Sequence, residues 1–131
     1  MIDIRDIDSI IKLQEKIIAE FGGIPGIINL NLLKSAIQKP FTGLANGREF
    51  YPDVIEKAAV LFEAIANYHA FVDGNKRLAT ILTTLYLREN GYEWNYNDEE
   101  IVVFCIKVAS KKLKFEEIKY WIENKIRKVG K

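Results

Sequence analysis

Apolar residues recur at helical spacing from near the start of the chain. Ile4, Ile7, Ile10, Ile11, Ile17 and Ile18 draw one stripe up to Phe21, where Gly22 and Gly23 supply a left-handed stop. This stripe predicts a first helix. A short second helix carries Leu30, Leu33 and Ile37, capped by Asn29 or Asn31 and ended by Pro40, because the residue before a proline is pushed out of helical geometry. Phe41 to Tyr51, with Gly43, Asn46 and Gly47, reads as a loop or small hairpin flap. Pro52 suits the first turn of a third helix, whose apolar face continues through Val54, Ala58, Leu61, Ile65 and Tyr68.

Asp73 and Gly74 interrupt the pattern. A fourth helix is predicted from about Asn75, through Leu78, Ile81, Leu82 and Leu85, to a stop at Asn90 and Gly91. Asn97 with Glu100 three residues on forms a capping box for a fifth helix through Ala109, and Ile118, Ile122 and Ile126 mark a sixth. Only Tyr92 to Tyr96 alternates as a strand does. No repeat, low-complexity tract or linker divides the chain.

The pattern therefore predicts an all-α bundle of about six helices forming one domain over residues 1–131. Composition agrees: 131 residues, 49% hydrophobic and 28% charged, are enough for one real core. Nineteen basic against eighteen acidic side chains leave a formal charge of +1, too little to pull the whole molecule onto nucleic acid or a membrane. A single cysteine excludes an internal disulfide, and its apolar setting, IVVFCIKVA, predicts that Cys105 is a buried thiol. Acidic residues near the N-terminus and the lack of a long apolar run point away from a signal peptide or membrane span, and so to the cytoplasm.

Candidate chemistry concentrates in His69-Ala70-Phe71-Val72-Asp73-Gly74-Asn75-Lys76-Arg77, a loop feeding a helix N-terminus. The first turn of a helix presents unpaired N–H groups and the positive end of its dipole, which favours anions. Gly74 allows close backbone approach, while Asn75, Lys76 and Arg77 add donors and two positive charges. Asp73 beside such a cradle makes sense as a ligand to Mg²⁺ bridging phosphates. His69, the only histidine, is the natural general base, since imidazole ordinarily changes charge near neutral pH. Phe71 would anchor the loop in the core. Singly, each residue has a bland reading as a structural hydrogen-bonder, a turn or a solvated face. Together they do not: six specified residue types in nine positions arise by chance in roughly one of 10⁷ windows.

HAFVDGNKR resembles the signature loop of the Fic and Doc (Fido) superfamily, and most of all its Doc, or death-on-curing, toxin branch. The GG at Gly22, LLKSAIQKP, YPDVIEKAA and LRENGY extend the resemblance over most of the chain. It implies a Fido-type helical fold with His69 deprotonating a target hydroxyl, Asp73 holding Mg²⁺, and Gly74, Asn75, Lys76 and Arg77 binding the phosphates of ATP or another nucleotide. AMP-transferring members usually carry glycine where Lys76 stands and a second arginine where Thr80 stands. The match to Doc-like sequences instead implies a kinase that phosphorylates a threonine of elongation factor Tu and inhibits translation. Ala70 and Tyr68 depart from the proline and asparagine frequent at those positions, and neither change removes a catalytic group. The self-inhibitory helix pattern of the superfamily is missing, which implies inhibition in trans by a small antitoxin whose disordered tail folds in a groove.

Two other readings remain open. AMP transfer to a Ser, Thr or Tyr hydroxyl is supported by the shared HxFxDGN core. A non-catalytic binding module draws only on the basic segment Lys111, Lys112, Lys114, Lys119, Lys125, Arg127, Lys128 and Lys131, which Glu116, Glu117 and Glu123 interrupt. Direct nucleic-acid binding is therefore not expected.

Overall fold

The structure, a computed structural model, describes residues 3–129. Six helices form it: α1 (Ile7–Phe21), α2 (Leu30–Gln38), α3 (Val54–Tyr68), α4 (Asn75–Glu89), α5 (Asp98–Ala109) and α6 (Phe115–Glu123). A 3₁₀ turn, Lys39–Phe41, follows α2, and a two-stranded antiparallel sheet pairs β1 (Tyr92–Trp94) with β2 (Ile126–Lys128). The fold is thus all-α in the sense the pattern predicted, apart from this small ribbon.

Most helix starts are written by short polar side chains that accept the first free N–H groups. Asp6 takes the Asp8 N–H at 3.2 Å and the Asn29 Oδ1 takes that of Leu32 at 3.1 Å. Asp53 with Glu56 and Asn97 with Glu100 form reciprocal capping boxes on α3 and α5. This capping moves one predicted start. Asp53 rather than Pro52 governs the end of α3: its carboxylate accepts from Glu56 N at 2.7 Å, so the helix opens at Val54 and the proline stays outside it.

Two other expectations shift. Ile4 precedes α1 yet is buried, and Ile126, expected on the sixth helix, lies in β2. The chain leaves α6 at Asn124 and pairs with β1, with Trp94 opposite Ile126. The predicted flap does fold back on itself: Gly43 bridges Glu49, and Leu44 N donates to Arg48 O at 2.7 Å. Lys57 ties it to α3 through an ion pair with Glu49 at 2.8 Å.

α3 is the central element. Ala58, Ala59, Val60, Leu61, Phe62, Ala64, Ile65 and Ala66 are all buried, so it is apolar nearly all round, as a helix enclosed by its neighbours must be. Its alanines let α4 pack closely along it, and α2, α5 and α6 cover other sides. Phe62 meets Trp94 edge-on at 5.9 Å, while Phe104 stacks on Trp121 at 4.0 Å, fastening the C-terminal helices to the same core. Cys105 is buried as expected, and burial pushes its thiol above the ordinary range.

The basic C-terminal residues do not form one stripe. Lys119 pairs with Glu56 at 3.7 Å, Lys125 with Glu100 at 2.7 Å, and Arg127 with Glu93, while Lys131 lies outside the described residues. Among the described residues, no helix is long and apolar enough to cross a membrane.

Candidate active site

α3 ends on His69, whose backbone is left-handed at φ 52 and ψ 49. That turn throws the chain out of α3 and across to α4, which starts after Gly74 at φ 82. Between them Phe71 is buried at 3% exposure and holds the loop to the core. The side chain of Asn75 locks the same point, accepting from Phe71 N at 3.2 Å and donating to Phe71 O at 2.9 Å.

A segment far away in sequence completes the loop. Between α1 and α2, Ile27 and Phe71 form an antiparallel bridge, Val72 N donates to Gly26 O at 3.1 Å, and Ile28 N donates to Ala70 O at 2.7 Å. Ile24 N donates to Asp73 Oδ2 at 2.8 Å. One carboxylate oxygen of Asp73 is thereby tied down, leaving Oδ1 with no recorded hydrogen-bond partner among the described residues. Gly23 makes the approach possible: at φ 118, a Cβ there would come 3.2 Å from Asp73 Cβ.

The result is a cleft of about 570 Å³ lined by α1, this segment, and the loop with the first turn of α4. His69, Asp73, Gly74, Asn75, Lys76 and Arg77 all line it. Each predicted site residue except the anchor Phe71 is therefore brought to one cavity. A larger groove of about 860 Å³ lies between α5 and α6 but shares none of these residues. The chemistry, not the size, selects the smaller one.

Three features define what the cleft can do. The His69 ring is exposed and makes no hydrogen bond to another described residue, so its nitrogens are free to serve a ligand. The N-terminus of α4 has no side-chain cap, and its first recorded main-chain donation is Leu78 N to Gly74 O at 2.9 Å. The N–H groups of Asn75, Lys76 and Arg77 are consequently unspent, as an anion site requires. Lys76 and Arg77 are exposed, and the Arg77 guanidinium lies over the Phe21 ring at 3.9 Å, which orients it at low entropic cost.

Two predicted contributions differ in kind. Asn75 offers the cleft its main-chain N–H, since both ends of its side-chain amide are engaged by Phe71. Gly74 is required first by protein packing: a Cβ there would meet Gln14 Nε2 at 2.7 Å and Ile18 Cδ1 at 3.3 Å. Thr80, where the second arginine of AMP-transferring members would stand, donates to Lys76 O at 3.1 Å and brings no charge. Sequence reasoning gave no sign that Gly22 and Gly23 line the cleft or that the segment after them braces its loop, and it missed Gln14 altogether. Phe41 and Glu49 of the predicted flap border a different depression, together with Lys57 and Tyr86.

A sequence model of the Fic/DOC family matches residues 5–87, which takes in α1 to α3, the whole motif loop and most of α4. The chain is 37% identical over 73 residues to "Toxin Doc" of Mycolicibacterium smegmatis, covering 56% of this chain and 55% of that protein. It is 31% identical over 86 residues to "Protein kinase doc" of Escherichia phage P1, covering 66% of this chain and 67% of that protein. The matched region thus spans little more than half of the first relative and two thirds of the second.

Proposed function

The chain belongs to the Fic/DOC family, and from that premise we propose that it is a Doc-like toxin that transfers the terminal phosphate of ATP to a protein hydroxyl. The observation that carries this reading is one cleft that holds a helix N-terminus without a side-chain cap, a carboxylate and, with no ion-pair or hydrogen-bond partner among the described residues, the side chains of Lys76 and Arg77 and the His69 imidazole.

His69 accepts the proton of the attacking alcohol as its oxygen bonds to phosphorus and the bond to the departing ADP oxygen breaks. Lys76, Arg77 and the free N–H groups of α4 offset the charge on the phosphates, and the helix backbone holds those N–H groups in place before the substrate arrives. Such proton abstraction ordinarily contributes about 10²- to 10⁴-fold in rate. The donor chemistry fits Mg²⁺, which is commonly bound by one or two carboxylates together with water and substrate phosphates, since Asp73 lines the cleft with one carboxylate oxygen not taken by Ile24. Asp73 would hold it through the oxygen that Ile24 leaves free, and the ion would neutralise phosphate charge.

Phosphate rather than AMP transfer is favoured by Lys76 and by the uncharged Thr80. The name of the phage P1 relative, a protein kinase, points the same way. The acceptor is a threonine of elongation factor Tu, meeting the cleft across the exposed Ile24, Ile28 and Val72 of its rim. On this reading the protein acts in the cytoplasm, and residues 1–131 are read as one Fido domain. A small antitoxin is its partner in trans, and the exposed Phe21, Val102 and Ile106 form a fitting apolar strip beside Arg77.

The deciding experiment incubates the pure protein with elongation factor Tu, Mg²⁺ and either γ-labelled or α-labelled ATP. Label from the γ-position alone is expected. Label from the α-position alone would replace phosphate transfer by AMP transfer, and Lys76→Gly then tests whether that side chain sets the nucleotide's orientation. No transfer of either label would overturn the enzymatic reading for this acceptor.

A further inference from the structure

Gln14 is polar, sits on the inner face of α1, and is only 3% exposed. Its Nε2 donates to the main-chain carbonyl of Asp73 at 2.6 Å, across 59 residues of sequence. The same nitrogen occupies the space that a Cβ on Gly74 would need. Its Oε1 is buried with no hydrogen-bond partner among the described residues. An orphaned buried acceptor is costly, and a methionine would fill the volume without it. What a methionine lacks is the donor to Asp73.

The trans peptide between Asp73 and Gly74 points its carbonyl and its N–H in opposite directions. Fixing the carbonyl toward α1 therefore turns the Gly74 N–H away from α1, and no described residue accepts from it. We propose that Gln14 is a positioning residue: by holding the Asp73 carbonyl it sets the 73–74 peptide so that the Gly74 N–H and the Asp73 carboxylate meet a bound phosphate together. The role rests on the transferase reading, since it specifies how that same cleft is prepared. Its warrant is the contact itself, which joins α1 to the one peptide that separates the carboxylate from the helix N-terminus.

The test compares Gln14→Met, which keeps volume but loses the donor, with Gln14→His, whose ring N–H reaches about as far as the glutamine amide. In full-length protein with Mg²⁺, ATP and the acceptor, Gln14→Met should lose about 10- to 100-fold in kcat, the scale of a small misplacement of reacting groups, with KM for the acceptor unchanged. Gln14→His should recover most of that loss. Wild-type turnover in Gln14→Met, or equal impairment of both variants, would overturn the role. Should Gln14→Met not fold, Gln14→Leu takes its place, and if neither folds then Gln14 serves the core and the proposal falls.

Failure of the wild-type chain to bind ATP would strike the transferase reading instead. The Gly74 N–H orientation, read from residual dipolar couplings in the nucleotide-free protein, then decides on its own. It should turn in Gln14→Met and return in Gln14→His; an unmoved vector in Gln14→Met overturns the proposal.

Discussion

The side-chain amide of Asn75 closes on the main chain of Phe71, accepting from its N–H at 3.2 Å and donating to its carbonyl at 2.9 Å. One residue at the start of α4 thereby fixes the buried anchor of the loop that precedes it. Both groups of Phe71 are inaccessible to solvent, so Asn75→Ala leaves a donor and an acceptor unpaired. A loss of about 1–3 kcal/mol is expected for each orphaned group, measured by urea denaturation. Phe71→Ala should cost about 3–5 kcal/mol through the cavity it opens. Near wild-type stability in both would mean that the loop is held by something other than this pair.

His69→Ala should behave in the opposite way. The ring is exposed and has no hydrogen-bonding partner among the described residues, so the melting temperature should stay within about 2 °C, inside the shift of a 1 kcal/mol change. Transfer should fall by at least about 10²-fold. A variant with near-normal turnover would remove the general-base assignment.

Adjacent glycines should separate strain from function. Gly22 at φ 89 and Gly23 at φ 118 both resist a side chain, but a Cβ on Gly22 would meet nothing within 4 Å, whereas on Gly23 it would press on Asp73. Each alanine variant is expected to lose stability, by on the order of 1 kcal/mol. Only Gly23→Ala should also weaken the Mg²⁺ dependence of nucleotide binding, as titration calorimetry would show. Equal effects on that dependence would break the proposed link between Gly23 and Asp73.

Acid sensitivity should trace partly to Glu100. The hydrogen bond from Lys125 holds its carboxyl below the ordinary 4.5, with the Asn97 N–H acting in the same direction. A group whose folded-state value is depressed stabilises fully above its unfolded value and loses that contribution as pH falls through the folded one. Melting temperatures followed downward from pH 5 should therefore fall less steeply in Glu100→Gln than in wild type. Identical slopes would show that the ion pair to Lys125 adds nothing to the fold.

Much of this was legible in one dimension. Helices α1, α3, α4 and α5 announce themselves by apolar period and by caps such as Asn97 with Glu100, because both signals are local. The motif residues likewise lie within nine consecutive positions. What stayed hidden depends on partners distant in sequence. Nothing in GGIPGIIN alternates as a strand does, yet Ile27 bridges Phe71; and IRK reads as a helix continuation until Trp94 is found opposite Ile126. Gln14 resembles any polar residue on a helix until Asp73 is brought beneath it. Gly74 signals a close approach of the backbone, but only the structure shows that Gln14 makes one such approach.

The bare start of α4 has a thermodynamic corollary. Asp6, Asn29, Asp53 and Asn97 finish α1, α2, α3 and α5 with oxygen atoms the chain itself encodes. α4 alone of the first five has no such side-chain acceptor among the described residues. A polyanion seated there would complete the secondary structure as well as occupy a pocket, so excess ligand should raise the melting temperature by an amount that grows with the logarithm of its concentration over its dissociation constant.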